Sequence, residues 1–376
     1  MLKGRPTRAE LLDQTLGRTR WDLIVIGGGA TGLGVALDAI ARGYGVLLLE
    51  RDDFAKGTSS RSSKLVHGGL RYLKNRHFGL VMESLRERGL LIQNAPHLVR
   101  PLRFILPAPR LWKRLYYWLG LTLYSVAFKG LKLGPSRLLG RRALQALAPT
   151  LKQERLSGGA LYFDAQMDDA RLGLTLAKTA VQLGATILNY CEVTGLEVDE
   201  RGQVSAVRFK DCQEHEGVER VVKAKAVVNA TGVFVDEVRR LEGAERASTI
   251  TPSQGAHLVL PKRFLPNDIA VVFPEKKGHA ALFALPWYDR VLIGTTDHFV
   301  ERVKREPRPL QEELQELLAQ AQEHELPSLS VIHDLSRSYD PMLRSTAWCV
   351  SYLHRAPVSI QGPEASLKEK ATRRSS

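Results

Sequence analysis

The sequence predicts an α/β protein with a Rossmann-like first domain and a second, α+β domain built on a mixed sheet. Three observations predict it. A short apolar run, WDLIVIG at 21–27, ends in glycines and leads through a helical stretch into a second apolar run, VLLLE at 46–50. A similar strand-and-glycine element, AVVNATG, recurs far downstream at 226–232. Four more strand candidates, AHLVLP, IAVVFP, AALFALP and VLIGTTD, crowd the interval 253–299.

Taken in order, residues 1–20 read as a polar leader with a short helix around Glu10 to Leu16. They lack an apolar h-region and so are not a secretory signal, and Glu10 and Asp13 speak against a transit peptide. The runs at 21–27 and 46–50 are continuous apolar stretches, the pattern of strands buried on both faces. Residues 30–42 between them have helical spacing, stopped by Gly43. Residues 51–75 form a long loop rich in Ser, Gly and basic residues, followed by an amphipathic helix over 80–93. Residues 168–183 read as another helix, ATILNY as a strand, and 192–228 as a β-meander with turns near 200–202 and 216–217. A helix rich in Glu and Gln spans 310–325, and periodicity fades after about Tyr339. The organisation expected is a leader (1–20), a first domain from 21–110 and 150–245, a helical insert (111–149), a second domain (246–335) and a divergent tail (340–376).

The first turn carries Gly27-Gly28-Gly29-Ala30-Thr31-Gly32, a GxGxxG motif. Gly27 permits the tight turn after the strand, Gly29 lets backbone approach a pyrophosphate, and Gly32 allows close helix–strand packing. The helix N-terminus presents amide N–H groups and the positive dipole end to phosphates. Glu50 closes the second strand, where a carboxylate accepts hydrogen bonds from ribose hydroxyls. A lone GxGxxG is weak, but here strand, helix and acid stand in the required order. The motif does not separate NAD from FAD. Its place near the start of the chain, with Asn229-Ala230-Thr231-Gly232 much later, is the layout of flavoproteins of the two-dinucleotide-binding type.

The most specific stretch is TSSRSSKLVHGGLRYL at 58–73. Hydroxyls and amides suit phosphate and flavin oxygens, and Gly68 and Gly69 let backbone approach a flat ring. His67 can act as a base and Arg71 can hold a phosphate. A single histidine or arginine is more often packed or solvated than functional, so these residue types alone do not decide.

This stretch resembles the signature of the FAD-dependent, quinone-linked glycerol-3-phosphate dehydrogenases. So do GGGATGLGVALDAIARG (27–43), APH (95–97), MDDARL (167–172), NATG, GAHLVLP (255–261), and LPW with GTTD (285–297). The resemblance runs in family order from about residue 20 to 300. It implies FAD as cofactor and oxidation of sn-glycerol 3-phosphate at C2 to dihydroxyacetone phosphate, with electrons passed to a quinone. By matching position, Gly27, Gly29, Gly32 and Glu50 would contact the adenosine and pyrophosphate part. Ser59, Ser60, Ser63, Lys64 and Leu65 would lie along FAD, and Ala230 and Gly232 would close that site. His67, Arg71 and Tyr72 would face substrate, with His67 as the candidate base.

The resemblance breaks near the end. VIHDLSRSYD at 331–340 approaches a GxRPL-type segment, but the following residues match no further family motif, and an FGGK-like segment is absent. The expectation is a missing pocket wall and impaired activity. A related amine or hydroxy-acid oxidase, or a non-catalytic nucleotide-binding fragment, remain the alternatives.

Lys plus Arg number 54 against 40 Asp plus Glu, a formal net charge of +14. Such a surplus suits phosphorylated substrates or acidic lipid; no basic–aromatic nucleic-acid module is evident, so nucleic acid is not an expected partner. Three cysteines without a CxxC pair give neither a disulfide framework nor a zinc site, and fit a reducing compartment. Residues 111–133 combine Trp112, Tyr116, Tyr117, Trp118 and Phe128 with Lys113, Arg114, Lys129 and Lys132, as an interfacial helix on anionic lipid does. A buried core helix with basic caps has the same composition. The expected location is cytoplasmic, peripherally attached to the inner face of the cytoplasmic membrane. A homodimer is compatible with the sequence, which fixes no oligomeric state.

Overall fold

The computed structural model describes residues 7–68, 78–127, 133–152, 154, 156–214, 217–243, 247–274, 281–323, 348–354 and 359–361. Their backbone forms two large sheets.

The first sheet grows from β1 (Trp21–Ile26), β2 (Val46–Leu49), β7 (Thr186–Leu188) and β10 (Glu219–Asn229), in the order β7-β2-β1-β10, all parallel. Because side chains alternate between two covered faces, β1, β2 and β7 are apolar at nearly every position, as is the 226–228 end of β10. Val25, Val46 and Leu48 face α2 (Ala30–Ala41) and α6 (Asp169–Gln182), packing on Leu33, Ala36, Ala177 and Ala180. Ile24, Ile26, Leu47 and Leu49 face the other way, onto Phe209, Val207 and Leu196. Those residues belong to β8 (Cys191–Val198) and β9 (Val204–Asp211), which with the first half of β10 make the expected antiparallel meander.

The second sheet runs β15 (His298–Phe299), β11 (Thr251–Pro261), β14 (Arg290–Gly294), β13 (Leu282–Trp287), β12 (Ile269–Phe273), β4 (Val99–Ala108), β6 (Gly158–Met167), β3 (Leu65–Val66). One face carries Ile105, Leu161, Val271, Ala284 and Ile293, covered by Leu144 of α5 (Arg141–Leu147) and by Leu317 and Ala321 of α8 (Gln311–Glu323). The opposite face carries Phe104, Tyr162, Val272, Leu285 and Leu292, covered by Leu121 of α4 (Leu111–Ala127).

The structure adds to the expected organisation at four places. Within the stretch read as a leader, α1 (Arg8–Gly17) is held by a capping box between Thr7 and Glu10, and Leu11 and Leu12, half-buried, pack against the core beneath the first sheet. Residues 65–66, 99–108 and 158–167, assigned by contiguity to the first domain, lie in the second sheet. There β4 pairs antiparallel with β6 along ten positions and parallel with β12. The insert 111–149 is not wholly helical, since β5 (Arg137–Gly140) adds to β6. Its Arg114 turns inward to the carbonyls of Ser157 and Leu139 (3.0 and 3.5 Å) rather than towards lipid. Two segments of the stretch expected as a tail pair with the sheets: β16 (Trp348–His354) with β11 and β17 (Ser359–Gln361) with β10. Backbone pairing needs no apolar alternation, so composition gave no sign of it.

Beneath the serine-rich loop lies a nearly fully buried ion pair, Arg88 Nη1 to Asp164 Oδ1 at 2.8 Å, joining β6 to α3 (Phe78–Asn94). The Gly68 amide donates to the other Asp164 oxygen at 3.3 Å. Burial pushes the Asp164 carboxyl up, against the pull of Arg88 and His67. Removing one partner strands the other charge. Arg88→Ala is therefore expected to lower unfolding free energy in denaturant titration by about 3–5 kcal/mol, and the paired change to Arg88→Met with Asp164→Leu by clearly less.

Candidate functional site

At the C-terminal ends of β1 and β10 two glycine turns meet. Ile26 stands beside Asn229 in the ladder, and the Ala230 amide donates to Ile26 O at 2.8 Å. Gly27 takes φ +108°, and a Cβ there would stand 2.6 Å from Ala230 O. A Cβ on Gly32 would fall 1.9 Å from Gly27 O. Both positions therefore exclude any side chain, which is how the turn and the start of α2 come so close. Gly232, at φ +60°, carries the second turn, whose Thr231 hydroxyl donates to Asn229 Oδ1 at 2.6 Å.

Gly29 is the N-cap of α2 and has no side-chain oxygen to close the helix end. The Ala30 amide is met from outside by Ser59 Oγ at 2.9 Å, and Ala30 and Thr31 are exposed. An accessible helix N-terminus flanked by a hydroxyl suits a diphosphate. Glu50 reaches the same turn, accepting from the amides of Gly28 (2.5 Å) and Asp52 (2.7 Å). Burial pushes its carboxyl above the ordinary value, against the lowering effect of those two amides. Gly27, Gly29, Gly32, Glu50, Ser59, Ala230 and Gly232 thus come together, and their chemistry fits an adenine dinucleotide.

The serine loop leads from this site to the second sheet. Ser60 O accepts from Lys64 Nζ at 2.6 Å, and the same ammonium donates to Asp169 Oδ1 at 2.7 Å. Lys64 is therefore part of a buried ion pair locking the loop onto the start of α6. Its backbone adopts φ +60°, and Leu65 enters β3 opposite Gln166. Ser63 Oγ lies 2.9 Å from His257 Nε2. His67 is exposed, directly before the buried Gly68. Arg71 and Tyr72 lie outside the described residues.

His257 is the residue that sequence reasoning missed. It stands in β11 opposite Gly294, and a Cβ on Gly294 would be 2.6 Å from its ring. The ring is 1% exposed, and among the described residues its Nδ1 meets no hydrogen-bond partner. Buried polar atoms are nearly always satisfied, so this nitrogen marks a place for a ligand group or water. The signal available in the sequence was a histidine inside the apolar strand GAHLVLP.

The profile of the FAD dependent oxidoreductase family matches residues 22–355, past the point where the motif resemblance stops. The human mitochondrial glycerol-3-phosphate dehydrogenase is 40% identical over 326 residues, 83% of this chain and 44% of that protein. The chain therefore spans less than half the length of that relative. The structure of glycerol-3-phosphate dehydrogenase from Bacillus halodurans, complexed with FAD, superposes with a TM-score of 0.71 at 32% identity, covering 92% of this chain and 60% of that one. L-proline dehydrogenase from P. horikoshii shares the fold at 17% identity, with a TM-score of 0.63 over 90% of this chain and 82% of that one.

Burial lowers the His257 pKa from 6.5 to about 4, and the nearby Lys64 charge acts in the same sense. Below pH 6.5 the unfolded chain takes up a proton that the folded chain refuses until about 4, so the fold loses stability as pH falls through that window. The loss from this group approaches about 3 kcal/mol at the acid end. In His257→Gln, thermal melts from pH 7 to 4 should show a shallower acid slope; an unchanged slope would remove His257 from the account.

Proposed function

This chain belongs to the FAD-dependent oxidoreductase family, and from that premise we propose that it binds FAD and oxidises sn-glycerol 3-phosphate at C2 to dihydroxyacetone phosphate. The observation that carries the reading is a continuity. One loop begins at the Gly27 turn, where Ser59 meets Ala30, and ends at Ser63 against His257 in the second sheet. A dinucleotide seated on the first sheet would have its far end delivered to the second. The names of the human and Bacillus halodurans proteins supply the substrate.

The α2 N-terminus would face the diphosphate, and Glu50 would accept from the ribose. Ser59, Ser60, Ser63, Lys64 and Leu65 would line the path of the cofactor, with Ala230 and Gly232 closing it. Bound there, FAD supplies the two-electron acceptor for the hydride leaving C2. His67 would take the hydroxyl proton, and Arg71 and Tyr72 would meet the substrate, a planar guanidinium suiting its phosphate. A quinone would be the final electron acceptor.

A quinone resides in the bilayer, and α4 offers a surface for reaching it. Leu111, Trp112, Leu115, Tyr116 and Leu119 are all exposed on one stripe, while Tyr117, Trp118 and Leu121 pack on the sheet. Lys113 lies over the Trp112 ring at 5.7 Å. Among the described residues no helix is long and apolar enough to cross a membrane. We read the stripe as a peripheral contact with anionic lipid on the inner face of the cytoplasmic membrane. A homodimer is part of the same proposal and is read out by light scattering.

Added FAD should become bound by the 376-residue chain, with quenched flavin fluorescence. Anaerobic glycerol 3-phosphate should then bleach the flavin, whereas L-proline, glycine and L-lactate should not. His67→Asn should slow bleaching by roughly 10²–10⁴-fold. Bleaching by an amino acid instead would move the chain to the amine-oxidising branch, and the rate with glycerol 3-phosphate decides whether the departure after Tyr339 impairs turnover. For the lipid contact, co-sedimentation with phosphatidylglycerol vesicles should be lost in Trp112→Glu with Tyr116→Glu; retention would refute that surface.

A further inference from the structure

The N-terminal helix grips the far edge of the first sheet through one side chain. Arg8 donates to both oxygens of Asp211, Nε to Oδ2 at 2.9 Å and Nη2 to Oδ1 at 2.7 Å. The same fork reaches the bend after β7, donating from Nη2 to Asn189 O at 2.8 Å and from Nη1 to Asn189 Oδ1 at 3.3 Å. It also touches Cys191 Sγ at 3.5 Å.

That bend carries the loop bearing Glu50. Asn189 Nδ2 donates to Asp53 Oδ1 at 2.9 Å. The Tyr190 amide donates to Asp52 O at 2.9 Å, and the Cys191 amide to Glu50 O at 2.7 Å. Tyr190 sits at φ +54°, an uncommon conformation for a tyrosine, and it persists because bonds on both sides fix it. Glu50 in turn is aimed at the Gly27–Gly29 turn by its bonds to the amides of Gly28 and Asp52. An unbroken series of short contacts thus leads from Arg8 to the carboxylate assigned to the ribose.

We propose that Arg8 is a positioning residue for Glu50 and so sets affinity for the adenosine end of the cofactor without touching it. The proposal rests on the reading of Glu50 as the ribose ligand. A planar fork is required, because Asp211 and Asn189 are met at once in different directions; a lysine carries the charge without that geometry.

The test compares the unaltered chain with Arg8→Ala, Arg8→Lys and Leu12→Ala, measuring FAD binding by flavin fluorescence, ADP binding by calorimetry, and the melting temperature without ligand. Leu12 packs the same helix onto the sheet but takes no part in the contacts with Asn189. Arg8→Ala and Arg8→Lys should weaken FAD and ADP by the same factor, about 10-fold, the lower end of what losing an outer partner of a binding group costs. Leu12→Ala should lower the melting temperature while leaving both affinities within about 2-fold, as packing lost away from the site does. Equal weakening by Leu12→Ala, or unchanged affinity in both Arg8 variants, would overturn the proposal. Failure of the unaltered chain to bind FAD or ADP would instead refute the ribose role of Glu50. Should Arg8→Ala not fold, Arg8→Lys carries the comparison.

Discussion

Everything in this molecule is arranged around a place where two stretches of backbone lie too close for any side chain between them. The Gly27 turn leans on Ala230, and Gly32 leans back on Gly27. That closeness follows from β1 and β10 running parallel and ending side by side. It leaves the first turn of α2 accessible, with amides in place of side chains around it. An anion-binding surface of this kind depends on packing behind it more than on the groups in front.

The second organising element is the loop between the sheets. Its residues are mostly polar and half-buried, with Lys64 and Gly68 buried, so the inward-facing groups need partners. Lys64 meets Asp169 and Ser60 O, Ser62 meets Asp169 through both its amide and its hydroxyl, and Gly68 meets Asp164. The Lys64–Asp169 ion pair pins the first half of the loop to α6, and Asp164, itself paired with Arg88, holds Gly68 to β6. Buried pairs add little net stability, but they tolerate few alternative arrangements. Ser63 and His67 are consequently held at fixed points between the pinned positions.

Much of this was legible in the residues themselves. The β1–α2–β2 unit announced itself through glycine spacing and the change of apolar period, because local geometry and local sequence agree there. The meander and the strands of 251–294 were legible for the same reason. Pairing partners were not: nothing in the sequence of β4 says that it lies beside β12 rather than beside β1, since both neighbours offer apolar strands. Lys64 was legible as a candidate cofactor neighbour but its ion pair with Asp169 was not, because a lysine that balances a buried carboxylate reads the same in sequence as one that does not. His257 was hidden by its apolar neighbours, and that its Nδ1 meets no partner among the described residues is visible only once the strand is folded. Residues 1–20, read by composition as a leader, contain a helix whose anchoring depends on Asp211, far along the chain.

The pairing of β4 with β12 reaches beyond the finished fold. Arg103 and Ile269 are register partners, 269 − 103 = 166 residues apart. During synthesis the N-terminal βαβ unit can assemble early, while the edge of β4 stays bare until those later residues leave the ribosome. At roughly 5–20 residues per second that interval lasts some tens of seconds at the slow end. An exposed apolar strand edge over such a period is a template for unwanted pairing. Nascent chains of this topology thus have reason to recruit a holding chaperone, and slowing translation downstream of β6 would lengthen their exposure to aggregation.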